Sequence, residues 1–378
     1  MSQVDNVSID AMIASLLIVG FDGEAFDNNP ALNVLAQQAS LGGVILFDQD
    51  FPFFQQYGAL KSKNIVDPEQ LQLLNSQLAT AFPAGFRSID VEGGQDWVTD
   101  ALGNNVRFGV NRLLPKRGFS KTLCAKQLGE LYREGNIDQV KHHCLDIAAM
   151  LHNAGFNLVY APVVDIDDKA CPIISAMNRS YSSDVAVIVA CSDIFIEACA
   201  QYGIQCCLKH YPGHGSSTGD THEGCVDITD VWSQQELEPF HQLAMQCGMV
   251  MMSHVIHRDV DDLPASLSPG WIKLLRDTGF DGVIISDDVQ MAAVLADDQQ
   301  KQSLQQLAEV TLQAFEAGND MVIVGNQMSH ITSEQLFEVI AMIKDKIHAG
   351  AWSLTSLEHS VKRVAALQQQ RVGRLASV

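Results

Sequence analysis

The sequence predicts a single (β/α)₈ barrel. Three observations carry that expectation: eight short, nearly all-apolar runs, longer segments of helical period between them, and polar residues gathered where the runs end. Strands covered by helices on both faces read as continuous apolar runs, and β-then-α alternation marks a parallel α/β fold. The candidate strands are Leu16–Gly20, Gly43–Phe47, Arg87–Asp90, Leu158–Val164, Ile204–Lys209, Met249–His254, Gly282–Ser286 and Asp320–Val324. A doubly wound open sheet uses the same ingredients and is the alternative. Eight units favour closure, and 378 residues suit one barrel of about 250 residues carrying extended loops.

Taken in order, the elements have local causes. The apolar run Ala11–Gly20 is too short to span a bilayer and follows Asp5 and Asp10, where a secretory leader would carry Lys or Arg. It reads as the first barrel strand, and the expected location is the cytoplasm. Asp67-Pro68-Glu69 opens a helix, with Asp67 as N-cap and Pro68 at the first helical position. In 136–152, Ile137, Val140, Cys144, Ile147 and Leu151 recur at helical spacing, and Gly155 lies just beyond as a stop. Leu354, Leu357, Val361 and Val364 form one apolar stripe near the C-terminus. Residues 96–135 are the least regular part and predict an extended loop or small subdomain.

Composition narrows the partners. A net charge of −21 and a pI near 4.8 oppose nucleic acid and anionic membranes by long-range repulsion. None of the nine cysteines forms a C-x-x-C pair; Cys144, Cys199 and Cys247 sit on apolar helical faces, and Cys206-Cys207 reads as buried strand. That usage suits a reducing compartment. His142-His143 are adjacent, so they point to different sides of a helix and make poor metal ligands. No glycine-rich phosphate cradle is present. No metal and no cofactor are expected, and the chain is expected to be a monomer or weak homodimer.

The polar strand ends are Asp90-Val91-Glu92-Gly93-Gly94, Asp165-Ile166-Asp167, Lys209-His210, His254 and Ser286-Asp287-Asp288. In a barrel these share the C-terminal face, where chemistry gathers. The most informative stretch runs from Lys209 to His222, a loop with three glycines and three histidines. Asp220 and His222 are two apart, so a turn can join them. A carboxylate on one imidazole nitrogen fixes the tautomer and raises the basicity of the other. The same spacing also fits an ordinary polar loop whose histidines bond locally.

The string Lys209-His210-Tyr211-Pro212-Gly213-His214-Gly215, with Asp220-Thr221-His222 following, resembles the β-N-acetylglucosaminidase branch of glycoside hydrolase family 3. Tyr211 and Thr221 are conservative changes from that pattern. The resemblance extends over Gly43–Phe47, Asp90–Gly94, Ala161–Asp165, Asn178–Tyr181, Pro264–Ser268 and Gly282–Asp288, in family order. It implies that Asp287 is the nucleophile of a retaining mechanism, in which one carboxylate attacks the anomeric carbon and a second group protonates the leaving oxygen. His222 is implied as general acid/base, with Asp220 holding it. Asp90, Arg179, Lys209 and His210 are implied as ligands of a small saccharide, and Met291 as its apolar wall, although Met291 also fits a plain core role. A helix N-cap is the other reading of the Ser286-Asp287-Asp288 turn, with Asp288 the better cap.

Two family features are missing. In the pattern G-G-x-V-x-R the chain has Val98 where the Arg falls, and Asp48-Gln49-Asp50 follows Phe47 where x-Arg-Asn is usual. Arg107 or Arg112 is the candidate replacement. The expected reaction is hydrolysis of terminal β-linked N-acetylglucosamine from muropeptide- or chitin-derived saccharides. Phosphorolysis is the second enzymatic reading, because a histidine acid/base tolerates an incoming phosphate that a carboxylate would repel. A sugar-binding protein with decayed catalysis is the third.

Overall fold

The computed structural model describes residues 8–27, 29–38, 40–93, 97–99, 105–108, 110–294 and 302–375. Eight parallel strands form a ring: β1 Leu17–Gly20, β2 Gly43–Ile45, β3 Phe86–Ile89, β4 Leu158–Val159, β5 in two pieces (Gln205–Cys206 and Leu208–Tyr211), β6 Met249–Met252, β7 Val283–Asp288 and β8 Met321–Val324. Closure happens at β5. Its first piece pairs with β4 through Leu158↔Gln205, and its second with β6 through Val250↔Leu208. A bridge between Val163 and Lys209 continues the β4 side upward. All eight expected strands are present, but the Leu158–Val164 run is regular only over its first two residues. Lys209 takes over the bonding there, donating to Pro162 O at 3.3 Å and accepting from Val164 N at 2.9 Å.

The run from Ala11 is not strand throughout. Ile9–Ala14 is a short helix whose Ser8 cap accepts from Ala11 N, and it packs against the C-terminal helices Ser333–His348 and Leu354–Leu375. The strand begins only at Leu17. The helix Pro68–Ala81 starts as its sequence demands, with Asp67 Oδ1 accepting from Gln70 N at 2.8 Å. Ile137–Asn153 buries Val140, Cys144, Ile147 and Leu151, and Gly155 beyond it takes a positive φ of 85°.

One apolar core runs through the ring and out to the helices. Close strand approach at the top has a steric cause: a Cβ on Gly20 would sit 1.7 Å from Gly325 O, so only glycine allows β1 and the end of β8 to meet. Eight of the nine free cysteines are buried within this framework, Cys225 excepted. Beyond β5 and β6 a small sheet of Val226–Asp227, Val255–His257 and Asp261–Pro264 covers part of the C-terminal face. The irregular segment resolves into a two-stranded hairpin, Trp97–Thr99 with Asn105–Phe108, a 3₁₀ turn Pro115–Arg117 and a helix Ala125–Arg133. Among the described residues, no helix is long and apolar enough to cross a membrane.

Candidate active site

A cleft on the C-terminal face is lined by Asp90, Arg179, Lys209, His210, His222, Asp287 and Met291, seven of the eight residues expected from sequence. The eighth, Asp220, reaches it through His222.

The floor of the cleft is a closed charge network. Lys209 Nζ donates to Asp90 Oδ1 at 2.8 Å and pairs with Glu92 Oε1 at 2.6 Å. Arg179 grips Glu92 with two bonds, Nε to Oε2 at 2.6 Å and Nη2 to Oε1 at 2.9 Å. Its Nη2 also lies 3.1 Å from His210 Nε2, and His210 Nδ1 lies 2.7 Å from Asp165 Oδ2. Burial works against the Glu92 and Lys209 charges, yet mutual attraction wins. Burial raises the Glu92 carboxyl, but Arg179 and Lys209 bring it well below the usual range. Burial likewise opposes the Lys209 ammonium, and Asp90 and Glu92 outweigh it, so the amine stays charged.

Asp287 and Asp288 end β7. Burial pulls the Asp287 carboxyl up, and the imidazoles of His254, His210 and His222 more than offset it, leaving it below its ordinary value and ionised. Its Oδ1 accepts from Asp288 N at 2.8 Å. His254 is the unexpected neighbour. Its Nδ1 lies 2.6 Å from Ser266 Oγ and its Nε2 3.0 Å from Asp288 O, so it fixes the carbonyl of the residue next to Asp287. Burial keeps His254 below its usual pKa, consistent with Nε2–H donating to that carbonyl. Asp288 does not cap a helix. Its Oδ1 accepts from Gln290 N at 3.1 Å and Gly325 N at 3.0 Å, tying the ends of β7 and β8, and burial pushes it up to about 7.

The third component is the loop after β5. Asp220 Oδ1 accepts from His222 N at 3.0 Å and lies 2.9 Å from His222 Nδ1. The side chain of His222 is 35% exposed and that of Asp220 11%. A carboxylate on Nδ1 raises the basicity of Nε2. Met291 is both cleft wall and core, at 1% exposure.

Val98 and Arg107 are register partners in the hairpin; their side chains, and residues 94–96, lie outside the described residues. The spacing V-x-R returns just beyond, as Val110-Asn111-Arg112. Arg112 N donates to Asp90 O at 3.2 Å, and its guanidinium lines the cleft, stacked over Phe47 at 5.3 Å from the ring centre. Asp48 Oδ1 lies 3.7 Å from Arg112 Nη1. Burial raises the Asp48 carboxyl, opposed by Arg112 and Arg117. The hairpin thus lies between Gly93-Gly94 and this V-x-R in sequence, and Arg112 reaches the cleft.

Among the described residues, Asp22, Asp50 and His330 have metal-ligand spacing. Lys63 lies 3.0 Å from Asp22 and Lys61 3.1 Å from Asp50, and Asp50 already caps a helix through Phe53 N. These carboxylates are compensated by ammonium groups. Sequence reasoning missed the parts played by Glu92, Asp165 and His254. Each sits at a strand end, which was the available signal, but only the closed ring shows what each one touches.

A carboxylate kept ionised in one cleft with a carboxylate-bound imidazole, above a floor of donors and acceptors, meets the needs of glycoside hydrolysis by two active groups, and barrel and cleft together define a glycoside hydrolase. The chain belongs to glycosyl hydrolase family 3: the model of that family's N-terminal domain matches residues 8–367. A beta-hexosaminidase of Neisseria meningitidis is 32% identical over 302 residues, 76% of this chain and 72% of the relative. Among solved structures, a family 3 beta-N-acetylglucosaminidase from Paenibacillus sp. superposes with a TM-score of 0.77 at 25% identity, over 97% of this chain and 63% of that one. A family 3 member from Mycobacterium smegmatis gives 0.72 at 25% identity, over 96% and 97%. The chain thus spans less than two thirds of the Paenibacillus protein and nearly all of the mycobacterial one.

Proposed function

We propose that the chain is a retaining, exo-acting β-N-acetylglucosaminidase that removes terminal β-linked N-acetylglucosamine from muropeptide- or chitin-derived saccharides in the cytoplasm. The observation that carries this reading is the ionised Asp287 carboxylate sharing a cleft with the hydrogen-bonded Asp220–His222 pair. The names of the similar proteins supply the sugar. In the first step an Asp287 oxygen attacks the anomeric carbon, and the glycosidic oxygen leaves with the proton from His222 Nε2. In the second, neutral His222 takes a proton from water, which displaces Asp287 and regenerates the imidazolium. Asp90, Arg179, Lys209, His210 and Arg112 bind the sugar hydroxyls, where charge-assisted bonds discriminate stereochemistry.

An aryl β-N-acetylglucosaminide assay with and without phosphate tests the reaction. Free sugar in both cases is the expected result. A sugar phosphate appearing with phosphate would replace hydrolysis by phosphorolysis, and no turnover would leave a binding protein. An activated fluoro-sugar should label Asp287, and Asp287→Ala should reduce turnover at least a thousandfold while the thermal transition is kept; a label on another residue removes Asp287 from the nucleophile role.

A further inference from the structure

The acid/base pair sits on a loop, and the loop is gripped from below by a carboxyl group that has no place in the reaction as written. Glu236 lies in the short 3₁₀ turn Gln234–Leu237 and is 3% exposed. Its Oε2 accepts from Gly215 N at 3.0 Å, and its Oε1 accepts from Ser216 Oγ. Contact is close enough to dictate glycine: a Cβ on Gly213, at φ +117°, would lie 2.5 Å from Glu236 Oε2.

The opposite side of the loop is held equally tightly. A Cβ on Gly215 would lie 2.1 Å from Ile166 O, and Asp165 Oδ1 accepts from His214 N at 2.9 Å. Residues 213–216 are therefore clamped between the segment that follows β4 and Glu236. His214 and Ser217 lock the next turn, with Nδ1 2.6 Å from Oγ. Asp220 follows three residues later. The far side of the pair is tied down as well, since Ala293 N donates to Thr221 O at 3.1 Å, in the turn beyond Asp287.

We propose that Glu236 is a positioning residue for the acid/base pair: by gripping Gly215 and Ser216 it sets how far His222 reaches over the cleft, without touching the substrate. The proposal rests on the assignment of His222 as acid/base. A loop that has lost its lower grip still binds sugar on the intact floor, but delivers the proton poorly. The defect should then follow the leaving group rather than the sugar.

The test compares Glu236→Ala, Glu236→Gln and His222→Ala on an alkyl β-N-acetylglucosaminide and on a nitrophenyl one, alongside amide hydrogen exchange of residues 213–222. Glu236→Ala should cut kcat/KM at least tenfold on the alkyl substrate and less than threefold on the nitrophenyl one, with little change in inhibition by N-acetylglucosamine. Exchange across the loop should accelerate. Glu236→Gln should recover most of the loss, because its carbonyl still accepts from Gly215 N and its amide can donate to Ser216 Oγ. If His222→Ala shows the leaving-group pattern and Glu236→Ala shows equal losses on both substrates, or none, Glu236 has no positioning role. If His222→Ala itself lacks the pattern, the acid/base assignment fails instead, and unchanged loop exchange in Glu236→Ala would then overturn the clamp independently. Should Glu236→Ala not fold, Ser216→Ala removes one of the two bonds and should give a smaller effect of the same kind; its absence sinks the proposal.

Discussion

The floor of the cleft and the loop above it handle charge in opposite ways. On the floor, Glu92 and Lys209 are almost fully buried, with side chains 2% and 4% exposed, and each meets an opposite charge within 3 Å. The loop carries the hydrogen-bonded Asp220–His222 pair, whose imidazole is 35% exposed. The difference suits the two proposed jobs. Sugar ligands must not move, so they are built on strand ends and locked to each other. An acid/base must exchange protons with substrate and water, so it stays open and takes its rigidity from backbone contacts at Gly213 and Gly215.

The sharpest way to break the comparison is on the loop. His222→Ala should lower the first chemical step for alkyl glycosides by roughly a hundred- to ten-thousandfold, while nitrophenyl glycosides, which need little protonation, lose far less. Rates on a leaving-group series check this, and a flat series would show that His222 is not the acid. Asp220→Asn should give a milder version of the same slope, since the imidazole remains but is poorly oriented.

Breaking the floor should instead show up in stability. Glu92→Gln leaves the Arg179 and Lys209 cations facing each other with one counter-charge fewer, and removing one partner of a buried pair costs about 3–5 kcal/mol. Asp220→Asn, on the more open loop, should cost about 1 kcal/mol or less. Urea unfolding of the two variants measures the contrast; similar losses would mean that burial does not separate the regions.

Arg112 tests where the floor ends. If it donates a charge-assisted bond to the sugar, Arg112→Ala should weaken binding by about 1.5–3 kcal/mol, or one to two powers of ten in affinity. Val98→Arg should be silent. Isothermal titration with N-acetylglucosamine decides, and the reverse outcome would return the missing cation to position 98.

The smallest effect lies at the root of the loop. The Tyr211 hydroxyl is buried without a hydrogen-bond partner among the described residues, with its ring edge-on to Phe240 at 5.3 Å and Trp271 at 6.1 Å. Burial pushes the hydroxyl well above its ordinary pKa, so the group stays a neutral O–H. Tyr211→Phe should therefore stabilise the fold by about 1 kcal/mol, read as a raised Tm with unchanged kcat.

Much of this molecule was written locally. Eight apolar runs specify strands because a parallel sheet covered on both faces needs no alternation. Asp67 and Pro68 specify a helix start because capping is a matter of three or four neighbouring residues. The string from Lys209 to His222 and the Ser286-Asp287-Asp288 terminus mark the proposed reacting groups, because rigid strand ends are where a barrel displays them. Tertiary structure decided what those groups are held by. Glu92 meets Arg179 and Lys209 across 87 and 117 positions of sequence, Arg112 arrives beside Asp90 only after a hairpin has been looped out, and Glu236 reaches back to Gly215 from the following turn. None of these pairings has a periodicity or a local spacing that could announce it. They exist because closing the ring through a broken β5 brings distant strand ends within hydrogen-bonding distance, and burial there makes every unpaired charge too costly to keep.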